Sequence, residues 1–208
     1  MKTPSNLLYA IAICSAFGFG ACNNEPKTKQ TDQQKNAANL SADTSLTVLT
    51  KQILTLLKNK DYQNLASCVH PKLGIIFSPY ASIDSAKVVH FTAENFLEKV
   101  KSTDKITWGN YDGSGEPISL TADEYFKEFV YSADYLNADT TSVNKSIASG
   151  TSTNNITSVF KNCNYTESYL KGTNKKLENM DWSSLYLVFE RYNEKNYLVA
   201  ITHNQWTN

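Results

Sequence analysis

Two long runs at the end of the chain constrain this fold more than any other feature of the sequence. They are SSLYLVFERY, residues 183–192, and NYLVAITHNQW, residues 196–206. Both are rich in the β-branched and aromatic residues that favour strands. A four-residue loop, Asn193-Glu194-Lys195-Asn196, connects them, with Asn196 also the first residue of the second run, and has the length and composition of a hairpin connection. The sequence therefore predicts an antiparallel hairpin at the C-terminus.

Pairing Tyr192 with Tyr197 sorts the hairpin side chains into two faces, because successive residues of a strand point to opposite sides. One face is apolar and is predicted to be core, with Leu185, Leu187, Phe189, Leu198, Ala200 and Trp206. The other face adds hydrogen-bonding groups to apolar ones, which is the composition of a ligand pocket. Its candidate pocket residues are Tyr186, Glu190, His203 and Gln205.

Two explanations of this mixed face stay open. In the first, the residues line a pocket, and His203 contributes little to the core, so that His203→Ala leaves the fold nearly intact. In the second, Tyr186 and His203 are cross-strand neighbours on a half-exposed surface.

Helical patterns dominate the first part of the folded region. Leucine and isoleucine recur at three- and four-residue spacings from Leu46 to Leu57, with Asp43 or Thr44 as the N-cap. A short second helix is predicted from Asp61 through Val69, where the sequence His70-Pro71 stops it.

The middle of the chain alternates between strand and helix. A third helix is predicted from Thr92, and a fourth follows the capping box Thr121-x-x-Glu124. Strands are predicted over residues 74–80, 106–112, 156–160 and 165–170.

The stretch ITWGNYDGSGEP, residues 106–117, invites two interpretations. Asp112-Gly113 has turn chemistry, because Asp tolerates and Gly readily adopts a positive φ, and Trp108 and Tyr111 are expected to pack beneath the turn. The alternative is an active-site loop. The sequence favours the turn.

The sequence contains few residues that could carry acid–base or metal chemistry. Asp112, Glu116, His70 and His203 are the groups that could form an acid–base set or a site of two histidines and one carboxylate. No two of them have ligand spacing such as H-x-x-x-H. We therefore expect neither a metal nor a cofactor.

The N-terminus has the organisation of an export signal. Lys2 precedes an uncharged apolar run over residues 7–19, which is too short to span a bilayer as a helix. The run leads into Phe19-Gly20-Ala21-Cys22, which resembles the lipobox of bacterial lipoproteins, with Phe19 where that motif usually has Leu, Val or Ile. The resemblance implies a signal peptide over residues 1–21 and acylation, for example with palmitate, of Cys22.

The lipoprotein resemblance also implies a location. Asn23 rather than Asp follows the cysteine, which by the known sorting rules favours the outer membrane of the bacterial envelope. Residues 22–42 are polar and are predicted to form a flexible tether. Residues 43–208 are predicted to form a single folded domain.

Composition excludes one class of partner. The chain has 20 acidic and 20 basic residues, without the concentrated basic face that a nucleic-acid groove needs. The partners expected are the membrane, through the lipid anchor, and an unidentified small molecule or envelope protein. Cys68 and Cys163 carry no spacing signature, and we expect them not to pair.

The predicted order of elements resembles the NTF2-like (cystatin-like) fold. An uncharacterised family of exported bacterial domains with that fold has stretches that look like four in this chain: FSPY, WGNYDGSGEP, MDWSSLYLVFE and HNQW. The resemblance implies an α+β cone in which a curved antiparallel sheet packs on a long N-terminal helix. The function expected is non-catalytic binding of a ligand or partner; the alternative is a small hydrolase or isomerase with an acid–base pocket in the cone.

Overall fold

A computed structural model describes residues 29–148 and 153–206, with side chains from residue 40 onward. The described residues from 38 onward form one compact unit. The predicted signal peptide, the lipobox with Cys22 and the first residues of the tether lie outside the described residues.

The described chain is α+β. Its helices are α1 Lys29–Lys58, α2 Tyr62–Ala66, α3 Phe96–Lys101, α4 Ala122–Tyr125, which continues as a π-helical turn over Phe126–Val130, and α5 Ile156–Val159; short 3₁₀ turns cover Tyr135–Asn137 and Lys175–Leu177. The strands are β1 Ile75–Ser78, β2 Val89–Phe91, β3 Ile106–Asn110, β4 Pro117–Leu120, β5 Thr140–Val143, β6 Asn164–Leu170, β7 Ser183–Tyr192 and β8 Lys195–Gln205.

Within the described residues, six strands form one mixed sheet in the order β2-β1-β8-β7-β6-β5. The predicted C-terminal hairpin is confirmed as β7 and β8. The expectation of an antiparallel sheet is wrong at one position, because β1 pairs with β8 in parallel. Ile75 and Phe77 of β1 are fully buried, which suits an interior strand with a neighbour on each side.

Helix α1 spans Lys29–Lys58 of the described residues, so the predicted N-cap at Asp43 or Thr44 is wrong. The threonines and serines of this region do not stop the helix: the Thr44 and Thr47 hydroxyls donate to the carbonyls of Leu40 and Asp43, one turn earlier. Residues 29–42, assigned to the tether from sequence, therefore lie in the first turns of α1. They contain no glycine or proline to break the helix.

Two predicted helix starts are confirmed by their caps. The Asp61 carboxylate accepts a hydrogen bond from the Asn64 N–H at 3.2 Å. Thr121 and Glu124 form the complete capping box of α4. Helix α2, however, ends at Ala66, and Val69 instead forms a parallel bridge to Leu198, because its backbone joins the edge of the hairpin.

The predicted strand over residues 156–160 is wrong, since residues 156–159 form α5. The Asn154 side chain accepts a hydrogen bond from the Ile156 N–H at 3.1 Å, and Ile156 is buried beside Ala81 and Ile83. This local hydrogen bond and the tertiary contact override the strand preference of the β-branched residues. The sheet instead gains β5, which the sequence patterns did not reveal.

The main core lies on the α1 side of the sheet. Leu46, Ile53 and Leu57 of α1 share this core with Leu185 and Leu187 of β7. A buried hydrogen bond of 2.8 Å joins Thr50 of α1 to Thr166 of β6. A smaller cluster on the opposite face includes Ile83, Ile156, Tyr186 and Val188. No helix of the described residues has the length and hydropathy to cross a membrane.

Candidate functional site

The register of the C-terminal hairpin differs from the prediction. Tyr192 pairs with Lys195 across a two-residue turn, whose residues Asn193 and Glu194 have positive φ angles of 46° and 64°. These are the angles of a type I′ turn, which matches the twist of paired strands better than a four-residue loop. The pairing of Tyr192 with Tyr197 is therefore wrong.

A β-bulge then changes the faces of β8. Phe189 pairs with Leu198 but Val188 pairs with Ala200, so Val199 is the extra residue. Beyond the bulge every side chain of β8 points to the face opposite to the predicted one. His203 pairs with Leu185, whereas Tyr186 pairs with Thr202. The structure therefore does not bring Tyr186 and His203 to one face.

His203 lies in the main core and is 1% exposed. Its Nε2 is 3.1 Å from the Tyr135 hydroxyl, and its ring stands edge-on to Phe129. Burial lowers the pKa of His203 to about 4, against the weaker opposing effect of a hydrogen bond to the backbone of Pro79. The imidazole is thus neutral at neutral pH and sealed from solvent, which does not suit a general base.

Tyr186 is also fully buried, on the other face. Its hydroxyl lies 3.0 Å from the Ser146 hydroxyl and accepts a hydrogen bond from the Asn154 amide at 3.2 Å. Burial raises the pKa of Tyr186, so it remains a phenol. The alternative prediction, that Tyr186 and His203 lie on a half-exposed surface, is therefore wrong for both residues.

The other two candidate pocket residues lie near opposite ends of the hairpin. Glu190 pairs with Tyr197 near the turn, and Gln205 pairs with Ser183 at the far end. Burial, and then the Glu190 carboxylate, raise the pKa of Cys163 to about 11. Cys68 and Cys163 are free thiols and pack against the clusters on opposite faces of the sheet.

The possible acid–base set is not assembled either. His70 is buried beside Tyr192, and its Nδ1 accepts hydrogen bonds from the N–H groups of Lys72 and Leu73. Asp112 and Glu116 are exposed in the β3–β4 loop. Over the described residues, no group of three His, Cys, Asp or Glu side chains is placed to hold a metal ion.

The stretch at residues 106–117 forms a β-hairpin, as its turn chemistry predicts. Gly113 has a φ of +84°, and its N–H donates to the Asp112 carboxylate at 3.1 Å. The Tyr111 N–H donates to the Glu116 carbonyl at 2.8 Å and closes the loop. Trp108 is fully buried, as expected, with its indole N–H donating to the Leu120 carbonyl at 2.9 Å.

This hairpin also forms one wall of a cleft of about 230 Å³. The other wall is the end of β1 with the loop that follows it. We call it the hairpin cleft and define it by Ser78, Tyr80, Lys87, Asn110, Tyr111 and Asp112. The two unusual stretches FSPY and WGNYD, which are distant in sequence, therefore meet here.

Backbone contacts fix the geometry of the hairpin cleft. The Asp112 N–H donates to the Tyr80 hydroxyl at 3.1 Å, which joins the two walls. Gly109 has a φ of +126°, and a Cβ at this position would stand 3.4 Å from the Pro79 ring. Glycine is suited to this position because its φ disfavours other residues and the two walls approach closely.

The charges of the cleft favour neutral or cationic ligands. Lys87 is paired with Asp84 at 3.4 Å, which leaves Asp112 as the unbalanced charge of the lining. Burial raises the pKa of Tyr80, with the Asp112 and Glu128 carboxylates acting in the same direction, so its hydroxyl stays protonated. The cleft therefore offers tyrosine rings, hydroxyl and amide groups and a carboxylate.

Glu167 is a buried polar residue that sequence reasoning missed. It is fully buried on β6, pairs with Tyr186, and accepts hydrogen bonds from the Ser184 hydroxyl at 2.6 Å and the Ala148 N–H at 2.9 Å. The only sequence signal is a charged residue inside the strand run NYTESYL. Its hydrogen bonds fasten the chain at Ala148 to the sheet, which is a structural role.

Comparison of this chain with known protein families, with curated proteins and with solved structures gives no match.

Proposed function

We propose that this chain is a lipid-anchored protein of the bacterial envelope whose globular domain binds a small polar ligand in the hairpin cleft without catalysis. The observation that carries the binding part is the meeting of FSPY and WGNYD in a cleft with tyrosine walls. Concave sites that combine aromatic walls with a few oriented polar groups are the usual small-molecule sites.

The anchor part of the proposal rests on the lipobox-like sequence at Phe19–Cys22 and the uncharged run before it. We assign the signal peptide to residues 1–21 and the acyl chains to Cys22. More than one acyl chain is needed for stable anchoring, since a single chain binds membranes only marginally. Asn23 supports outer-membrane placement, and an NTF2-like arrangement of the α+β domain belongs to the same proposal.

Cys22→Ser is expected to abolish acylation and block maturation, because serine lacks the thiol that is acylated. Metabolic labelling with a palmitate analogue measures this, and Cys14→Ser, within the signal peptide, is the matched control that should leave labelling intact. Labelling that survives Cys22→Ser contradicts the anchor.

The hydrolase or isomerase alternative gains no support from the geometry. Two of the four candidate acid–base groups, His203 and Asp112, are the possible bases. His203 is sealed in the core, and burial lowers the pKa of its imidazole to about 4. The Asp112 carboxylate accepts a hydrogen bond from the Gly113 N–H and holds the turn.

The ligand class is tested by titrating the full chain, in a non-ionic detergent, with glucose as a neutral polyol, choline as a cation and acetate as an anion. We expect glucose or choline, but not acetate, to shift the NMR amide signals of Gly109 and Tyr111. Tyr111→Ala should remove the shift at Gly109, because it removes one aromatic wall. Tyr169→Ala, a half-buried tyrosine outside the cleft, is the matched control.

Two results contradict this binding site. One is that neither glucose nor choline shifts the cleft signals. The other is that acetate shifts them equally, since a site selected by its carboxylate and aromatic walls discriminates against anions.

A further inference from the structure

A second pocket, of about 400 Å³, lies between the end of α1 and the π-helical turn that follows α4. It shares no lining residue with the hairpin cleft. We call it the lysine pocket and define it by Leu57, Lys58, Lys60, Tyr62, Phe126 and Lys127.

The inner wall of the lysine pocket is apolar. Leu57 and Phe126 belong to the main core and are 3% and 4% exposed. The Tyr62 ring stands edge-on to Phe126, with a distance of 5.4 Å between ring centroids. Leu57 and Phe126 are thus already almost fully buried, whereas Tyr62 and Tyr131 are half-buried and supply the hydrocarbon surface that the apolar body of a ligand can remove from water.

The outer wall carries an excess of positive charge. Lys58 is paired with Asp134 at 3.0 Å, and Lys60 is paired with Asp123. Lys127 makes no ion pair with any described residue. Three ammonium groups thus face two carboxylates, and the unbalanced charge sits on the π-helical turn.

Tyr62 adds a hydrogen-bond donor. Burial, and then the charge of Asp123, raise the pKa of Tyr62 to about 12, so its hydroxyl keeps its proton at neutral pH. No hydrogen bond of this hydroxyl occurs within the described structure, and it is available to an acceptor in the pocket.

Two backbone features flank this pocket. Lys60 has a φ of +53° in the position after α1 where glycine is the usual residue. Two hydrogen bonds close the end of the helix there: the Lys60 N–H donates to the Leu57 carbonyl, and the Asp61 N–H donates to the Leu56 carbonyl. Phe126 and Lys127 lie in a π-helical turn, a rare element that is frequent at functional sites. A left-handed residue other than glycine is uncommon, and the one at Lys60 is a reason to look for a local role of its side chain.

We propose that the lysine pocket binds a small amphipathic anion, with its carboxylate or phosphate beside Lys127 and its aromatic or alkyl body against the half-buried rings of Tyr62 and Tyr131. The strain at Lys60 is then explained, since glycine would fit the backbone better but would remove an ammonium group from the site. This site is independent of the hairpin cleft and of the function proposed there.

Isothermal titration calorimetry of the full chain in a non-ionic detergent tests the proposal, with 2-naphthyl phosphate as the probe and the detergent solution as the blank. We expect one saturable site that binds this probe at least tenfold more tightly than the uncharged 2-naphthol or inorganic phosphate. Lys127→Gln should weaken binding about tenfold, because one charge-assisted hydrogen bond is lost. Lys161→Gln, at an exposed lysine outside the pocket, should leave the affinity unchanged.

Lys60→Gly separates a binding role from a structural one. We expect this variant to raise Tm by about 2 to 4 °C, because glycine relieves the left-handed backbone, and to weaken probe binding severalfold. The proposal is overturned if 2-naphthyl phosphate shows no saturable site, if Lys127→Gln or Lys60→Gly binds it as tightly as the unaltered chain, or if Lys161→Gln weakens it equally.

Discussion

Lowering the pH from about 6.5 to about 4 is expected to cost this protein roughly 3 kcal/mol of folding stability through His203 alone. Burial lowers the pKa of this imidazole from 6.5 to about 4 in the folded state. Below pH 6.5 the unfolded chain therefore takes up a proton that the native core does not accept. The free energy of unfolding falls as the pH falls, by about 1.4 kcal/mol for each unit of pKa difference.

Urea unfolding at pH 7.5 and pH 4.5 measures this effect. In His203→Gln the loss of stability between the two pH values should be smaller by about 2 to 3 kcal/mol, because the titrating group is gone. His90→Gln, at an exposed histidine of β2, is the matched control for the substitution itself. Tyr135, the titratable group hydrogen-bonded to His203, stays neutral because burial raises its pKa. Equal pH dependence in His203→Gln and the unaltered protein would contradict the burial of a neutral imidazole.

Trp108→Ala is expected to destabilise the protein by about 3 to 5 kcal/mol, the cost of removing a fully buried aromatic side chain and leaving a cavity. Trp108 is 0% exposed and stacks on Tyr125, with 3.8 Å between ring centroids and 7° between ring planes. Its ring also stands edge-on to Phe77 and Phe91. The indole thus joins the β3–β4 hairpin to the core beneath it.

Chemical unfolding of two further variants separates the contributions of Trp108. Trp108→Phe keeps most of the buried ring but removes the indole N–H that donates to the Leu120 carbonyl. It should therefore lower the free energy of unfolding by about 1 to 3 kcal/mol. Trp182→Ala should cost less than Trp108→Ala, because Trp182 is 8% exposed and its ring contacts one aromatic ring among the described residues, that of Tyr169. A loss of 1 kcal/mol or less in Trp108→Ala would show that the hairpin is not fixed to the core by this residue.

The reversal of His203 shows where sequence reasoning fails. Alternation correctly predicts the faces of β7 and of β8 up to Val199, since Leu185 and Leu187 lie in the main core and Tyr186 opposite. One bulged residue, Val199, inverts the remainder of β8 and moves His203 from a supposed pocket into the core. Side-chain periodicity in a strand is two, so one extra residue exchanges the faces, and no feature of the run NYLVAITHNQW marks the bulge.

The hairpin cleft is a second feature that sequence patterns do not predict. Turn chemistry at Asp112-Gly113 predicts its loop, yet the cleft exists because the chain at Tyr80 packs against that loop. Likewise, the cap at Asp61 is readable from sequence, but the lysine pocket requires α1 to meet the π-helical turn at Phe126. Tertiary contacts between distant segments form both cavities.

By itself the sequence determined the features that depend on neighbouring residues: the Thr121 capping box, the Asp61 cap, the Gly113 turn and the existence of the β7–β8 hairpin. Those features rest on hydrogen bonds and periodicities within a few residues. Only the tertiary structure decided the parallel pairing of β1 with β8, the helical state of residues 156–159 and the face occupied by His203. Each of these depends on which distant surface buries a segment, and burial free energy between distant segments outweighs local preferences of less than about 1 kcal/mol per residue.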